Sequence, residues 1–289
     1  MPELSQTVAA IVGADLIETA RARRRPATPA ELGKRLRPDW RITPAQSLMS
    51  DVIAAAVLEP NRRVVISAPP REGKTTMAAV FGVLFSLMIN PDSQNVLVSY
   101  SDQLAQDSSR DIRALVTEHA QLLGFSIAAD KTAVGRWKIE GRRGGLLAVG
   151  IGSSILGFGC DGLMVIDDPI KNAQEADSVT FRRNVKREYE HTLLTRMQHG
   201  GSLCLISSRW HPDDLAGSLL REDPQRWDAV NIPAISAAGI PDALGREPDV
   251  PMTSTVGRDR GHFDDLRRGV GERAWVATLR AARSALRVD

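Results

Sequence analysis

The chain has 289 residues, 43% hydrophobic and 25% charged, with a formal net charge of +2. That length supports a sizeable core in one large or two small domains, and so small a charge does not by itself imply a nucleic-acid partner. The longest apolar run, Met77–Ile89, is too short to span a bilayer, and no signal peptide is visible. Cys160 and Cys204 lie in apolar surroundings without metal-ligand spacing, the pattern of reduced core thiols in a cytoplasmic protein.

Residues 1–25 have the pattern of a helix that ends in Arg21, Arg23, Arg24 and Arg25. Such a cluster either touches nucleic-acid phosphates or completes a solvated helix end. Pro26, Pro29 and Pro38 break the next segment, so residues 1–43 stand apart as a helical, basic arm. Pro44-Ala45-Gln46 then opens a helix that leads into the strand Val64-Val65-Ile66. Gln46 either reads an adenine edge or is an ordinary first-turn residue.

Ala68-Pro69-Pro70-Arg71-Glu72-Gly73-Lys74-Thr75 follows that strand and precedes the apolar helix Met77–Ile89. It fits the phosphate-binding loop G-x-x-x-x-G-K-[ST], with Ala68 at the first Gly position. Gly73 lets the backbone approach phosphate with no Cβ in the way. Backbone N–H groups of residues 71–75, at a helix N-terminus, aim at the β-phosphate. Lys74 reaches the β/γ oxygens, and the Thr75 hydroxyl suits Mg²⁺. Arg71 is placed to stabilise charge at the γ-phosphate, or else is a solvated loop residue. The expected nucleotide contacts are Gln46, Pro70, Arg71, Glu72, Gly73, Lys74, Thr75 and Thr76, with the Glu72 side chain exposed.

Asn95–Tyr100 alternates as a strand, and Ser101-Asp102 caps a helix through about residue 118. Residues 134–151 read as short strands joined at Gly141–Gly145, and Gly150–Gly162 as a mobile Gly/Ser-rich loop. Leu163-Met164-Val165-Ile166 then runs into Asp167-Asp168-Pro169, a buried parallel strand with carboxylates at its C-terminal end, where ligands sit in open α/β sheets. Asp167 suits the Mg²⁺ shell. Asp168 suits polarisation of the attacking water, where many such ATPases carry Glu. The bland alternative is a capped turn.

A helix is expected over 176–197, a strand over 202–207, a helix starting at Asp213 or Asp214, and a last strand over 227–233. Ser207 and Ser208 end their strand at the same sheet edge and could sense the γ-phosphate. Residues 236–262 are rich in Pro, Gly and Asp, as a linker would be. A final amphipathic helix over 264–286 carries Arg267, Arg268, Arg273, Arg280, Arg283 and Arg287. Helices alternating with buried strands predict a mainly parallel α/β sheet covered on both faces. At least one strand falls between the phosphate-loop strand and the acidic strand, the arrangement of a RecA-like (ASCE-type) P-loop NTPase.

With these residues in place the chain resembles the ATPase domain of the large terminase subunit of tailed bacteriophages. Ala68–Thr75, Val98–Ser109, Gly150–Asn172, Thr195–Leu215 and Trp227–Ala234 carry the resemblance, in order, over roughly residues 44–235. It implies an ATP- and Mg²⁺-dependent motor that drives duplex DNA into a procapsid. It also implies a homo-oligomeric ring, commonly pentameric, on the portal protein in the host cytoplasm, with a small terminase subunit as partner. In these terms Lys74 and Thr75 grip phosphate and Mg²⁺, Asp167 holds Mg²⁺, Asp168 is the catalytic carboxylate, and Arg71 is the P-loop arginine. Ser207 and Ser208 fall in the coupling motif and Gln46 in the adenine position.

Two departures stand out. Relatives often carry Arg where this chain has Phe158, leaving Arg142, Arg143 or Arg196 as weak substitutes for a finger supplied in trans. No carboxylate cluster follows residue 235, so the nuclease is expected on a separate or missing domain, and residues 236–289 act as linker and C-terminal helix. A superfamily-two helicase or remodelling ATPase, and a non-hydrolysing docking module of the packaging complex, are the competing readings.

Overall fold

A computed structural model describes residues 25–155 and 157–269. The arginine cluster at 21–24 and the positions Arg273, Arg280, Arg283 and Arg287 lie outside the described residues. Two helices, α1 (Pro29–Leu36) and α2 (Pro44–Leu58), precede the sheet. Each starts with Pro at its first position behind a Thr cap, where the missing N–H removes no helical bond. Thr43 and Gln46 close a reciprocal capping box on α2.

The strands are β1 (Arg63–Ser67), β2 (Gln94–Ser99), β3 (Ile127–Ala133), β4 (Arg136–Ile139), β5 (Gly145–Gly150), β6 (Leu163–Asp167), β7 (Ser202–Ser207) and β8 (Asp228–Asn231). They form one sheet in the order β3-β4-β5-β2-β6-β7-β1-β8. From β5 to β8 every pairing is parallel, and the β3–β4 hairpin closes the other edge antiparallel. Helix α3 covers 74–89 and opens with a wide π-helical segment, Thr76–Gly82. Helix α4 is Asp102–Glu118, capped by Ser101, with a short α5 (Ala120–Leu123) behind it. Helices α6 (Ala173–Asp177), α7 (Val179–Glu188) and α8 (Leu215–Glu222) follow.

The parallel strands are buried on both faces, and their alternation sorts the core into two halves. Val64 and Ile66, Leu163 and Val165, and Cys204 and Ile206 pack with α1 to α4. Val65, Met164, Ile166, Leu203 and Leu205 pack on the opposite face with α7 and α8. The two cysteines are buried and free, one in each half, and burial pushes both thiols up to about 12.

Three expectations change. The strand lying between β1 and β6 in the sheet is β7, not β2, although β2 lies between them in sequence. The expected helix over 176–197 is interrupted at Ser178, whose hydroxyl caps α7, and it ends in a π-helical turn and a 3-10 turn. Residues 236–262 do not behave as a bare linker. Ile235 and Pro251 form a bridge, Met252 donates to the Ala234 carbonyl at 2.8 Å and is buried, and a helix begins at 260.

Candidate nucleotide-binding site

The C-terminal ends of β1, β6 and β7 meet the N-terminus of α3 because the sheet places β7 between the other two. A cleft of about 410 Å³ opens there, lined by Trp40, Gln46, Pro70, Arg71, Gly73, Lys74, Thr75, Thr76, Asp168 and Thr255. Its size falls in the range of small-molecule sites, roughly 300–1,000 Å³. Seven of the eight residues expected at a nucleotide line it, and Glu72 does not.

The loop is wound tightly. Gly73 has φ +81°, and a Cβ there would overlap the Gln46 amide nitrogen. Arg71 also has positive φ, +64°, a conformation that is uncommon outside glycine. The Lys74 ammonium is buried and fully engaged. It donates to the Ala68 carbonyl at 2.9 Å, the Pro69 carbonyl at 2.9 Å and Ser208 Oγ at 3.0 Å. Burial holds its pKa below the ordinary lysine value, against the opposing pull of Asp168 and Asp167.

Ser208 connects the lysine to the acidic pair. Its Oγ donates to Asp168 Oδ2 at 3.0 Å, and its backbone N–H donates to Asp168 Oδ1 at 2.6 Å. Asp168 sits at φ +42°, turning its carboxylate off the strand end. Ser207 points elsewhere: its Oγ accepts the Arg209 N–H at 3.1 Å. Strand alternation explains the difference, since 203, 205 and 207 share the face away from α3.

Asp167 continues the alternation of Leu163 and Val165 and so faces α3. It is 1% exposed, and neither carboxylate oxygen completes a hydrogen bond of good geometry, although the Thr75 hydroxyl lies close enough to act on it. Burial first, and then the neighbouring Asp168 charge, push its pKa up to about 7, while Thr75 and Lys74 pull the other way. A buried carboxylate with vacant lone pairs beside a Thr hydroxyl is a donor set that fits Mg²⁺, a hard cation that takes oxygen ligands and retains water. Thr75 and Asp167 are the residues that would hold it.

Other expected residues take different positions. Gln46 Oε1 is occupied by the Thr43 N–H at 3.1 Å, so only its amide NH₂ end lies against the loop. Glu72, expected exposed, is 0% exposed. Its carboxylate accepts from Ser254 Oγ at 2.9 Å and the Thr255 N–H at 2.8 Å, and pairs with Arg258 at 3.4 Å. Phe158 is buried beneath the Arg136 guanidinium, 5.4 Å from its ring centre. Arg142 and Arg143 pair with Asp92 and Asp161, next to the starts of β2 and β6 and so at the sheet edge opposite the cleft. Asp214, not Asp213, caps α8, and it also forms a buried pair with Arg209 at 2.8 Å. Trp40 and Thr255 were not singled out from sequence. Both lie far along the chain from the loop, with no motif to mark them.

No protein-family model matches the chain, and no curated protein matches it. Among solved structures, the HK97 bacteriophage large terminase aligns with a TM-score of 0.51 at 15% identity, over 86% of this chain and 51% of that one. The Thermus phage P74-26 large terminase ATPase domain aligns at 0.49 and 13% identity, over 90% and 99%. The large terminase of a thermophilic bacteriophage, in complex with ADP, aligns at 0.45 and 9% identity, over 79% and 50%. The likeness to the HK97 protein shows the fold: a RecA-like, mainly parallel α/β domain shared with that large terminase. The chain spans about half the length of the HK97 protein.

Proposed function

We propose that this chain is the Mg²⁺-dependent ATPase motor domain of a viral large terminase, which hydrolyses ATP to move double-stranded DNA into a procapsid. The observation that carries the reading is the Lys74–Ser208–Asp168 chain beside the buried Asp167 and its neighbour Thr75, all at the mouth of one phosphate loop. The fold shared with the HK97 large terminase supports the same class.

In this reading the N–H groups of 71–75 and Lys74 bind the β- and γ-phosphates, and Lys74 exchanges the Ala68 and Pro69 carbonyls for phosphate oxygens. Mg²⁺, when bound by Thr75 and Asp167, neutralises phosphate charge. Asp168 accepts hydrogen bonds from the attacking water and orients it in line. Ser208, bonded to both Lys74 and Asp168, reports γ-phosphate loss to the β7 end, and Ser207 belongs to the same coupling strand. Arg71 stabilises charge in cis from its strained loop position. The working unit is a homo-oligomeric ring on the portal in the host cytoplasm, fed by a small terminase subunit, with the nuclease on a domain other than residues 44–235.

Mg²⁺-dependent ATP hydrolysis, followed over a wide protein concentration range, tests this. Turnover should vanish in Lys74→Ala and in Asp168→Asn. Normal turnover in Lys74→Ala would sink the reading. A rise steeper than linear with concentration identifies a ring with a finger supplied in trans, and a linear rise makes Arg71 the finger.

A further inference from the structure

The segment that follows β8 returns to the phosphate loop as a strap. It is anchored before the loop by the Ile235–Pro251 bridge and by Ser236, whose N–H donates to the Val250 carbonyl at 3.0 Å and whose Oγ accepts the Val250 N–H at 2.9 Å. Beyond the loop, Arg260 bonds the Asp249 carbonyl at 2.9 Å, and Phe263 is 1% exposed. Between these anchors the chain is fastened to the loop itself. Ser254 and Thr255 bond the Glu72 carboxylate, and Arg258 donates to the Pro70 carbonyl at 2.9 Å.

Two observations point from this strap to a ligand. Thr255 lines the cleft with Trp40 and Gln46. Its Oγ1 has no hydrogen-bond partner among the described residues and is shielded from solvent in the ligand-free cleft, so the strap must shift slightly for a ligand to reach it. A buried hydroxyl left without a partner is costly, so such groups usually mark a missing one. The loop already supplies phosphate donors: the N–H groups of 71–75, Lys74 and Thr75. What Trp40, Gln46 and Thr255 add is neutral, an indole, an amide and a hydroxyl. That set suits a base or ribose, which offers faces, donors and acceptors but no charge.

We infer that the 249–258 strap completes the nucleoside half of the site, with Thr255 Oγ1 hydrogen-bonding the base or ribose and Glu72 acting as a positioning residue that holds the strap in place. The inference rests on the nucleotide-site reading above and deepens it. Glu72 does not touch the nucleotide through its side chain. It takes up the strap's N–H and hydroxyl donors, which ties the strap to the phosphate loop.

Thr255→Val keeps the side-chain shape and removes the hydroxyl, which makes it the primary test. Binding is measured by calorimetry for two probes, ATP and inorganic tripolyphosphate, both with Mg²⁺. Thr255→Val should weaken ATP roughly three- to tenfold, the range of one neutral hydrogen bond, and leave tripolyphosphate within about twofold. Glu72→Gln should show the same split. In the Glu72→Gln background Thr255→Val should add no further loss, because the strap is already released, whereas an unrelated structural effect would add. If wild-type protein binds ATP and Thr255→Val binds it equally well, the strap assignment fails while the site reading stands. Equal weakening of both probes by Thr255→Val also overturns the nucleoside assignment. If wild-type protein binds neither probe, the nucleotide-site reading falls, and the strap assignment with it.

Discussion

Ser208 Oγ donates to Asp168 Oδ2 at 3.0 Å while its own N–H holds the other carboxylate oxygen at 2.6 Å. One residue therefore fixes both oxygens of the proposed catalytic carboxylate and, through the same Oγ, accepts the Lys74 ammonium. A carboxylate so held presents its free lone pairs in one direction, which is what orienting a water requires.

Ser208→Ala removes the Oγ link and keeps the backbone bond. Turnover should fall roughly tenfold to a hundredfold while ATP affinity changes little, because the lost contact positions a catalytic group more than it binds the ground state. Ser207→Ala should have a much smaller effect, since the Ser207 hydroxyl is turned to the Arg209 N–H. Steady-state kinetics of the two variants side by side check the contrast. Equal losses would mean that the serine pair, and not Ser208 alone, couples the site.

The Asp167 carboxyl gives the ligand-free protein a pH dependence. Its folded pKa of about 7 lies above the ordinary aspartate value of 3.8, so the folded state favours the proton. Stability from this group is fully present below about pH 4 and is lost as pH rises through 7. The ceiling is about 4 kcal/mol for a shift of that size. Urea unfolding in EDTA at pH 5 and pH 8 should therefore show a larger drop in wild type than in Asp167→Asn. At pH 8 the variant should be the more stable protein, although it loses the proposed Mg²⁺ ligand. A variant less stable than wild type at pH 8 would show that the carboxylate is well compensated without a cation.

The Arg209–Asp214 pair is structural. Its side chains are 1% and 5% exposed, and Asp214 also caps α8 through the Gly217 N–H at 2.9 Å. Asp214→Ala removes a carboxylate from a buried guanidinium and a cap from a helix together. The expected destabilisation is about 3–5 kcal/mol. Asp213→Ala, at the more exposed neighbour, should cost about 0–1 kcal/mol. Denaturant midpoints of the two variants read the difference directly.

The parts of the site legible in the sequence were those with local chemistry. The strand–loop–helix around Lys74 and the strand ending in Asp167-Asp168 are contiguous signals whose residue types have few alternative uses. The six parallel-paired strands of the sheet, from β5 across to β8, followed from their apolar runs. Strand β3 was not foreseen, because Ile127–Ala133 carries Asp130 and Lys131 and lies at a sheet edge, where neither a continuous apolar run nor clean alternation is required. The spatial neighbour of β1 was not readable either, since strand order is set by crossovers and not by periodicity. Glu72 was expected in solvent because a charged residue in a polar loop usually is. Its partners, Ser254, Thr255 and Arg258, lie more than 180 residues away in a segment whose Pro, Gly and Asp content reads as linker. Single contacts from irregular backbone leave no pattern to find.

Gly73 tests whether the loop geometry itself is needed. At φ +81° an L side chain is strained, and a Cβ would overlap the Gln46 amide nitrogen. Gln46 cannot swing aside freely, because its Oε1 completes the α2 capping box and it is 1% exposed. Gly73→Ala should therefore cost about 1–3 kcal/mol of stability and displace the N–H groups proposed to bind phosphate, so that ATP and tripolyphosphate binding fall together. Gln46→Ala costs stability on its own by breaking the capping box, but in that background Gly73→Ala should cost less than it does in wild type, because the overlap is cleared and only the part owed to positive φ remains. Thermal melting of the single and double variants separates the two contributions. If Gly73→Ala alone melts like wild type, the loop relaxes more easily than its backbone angles and its contact with Gln46 imply.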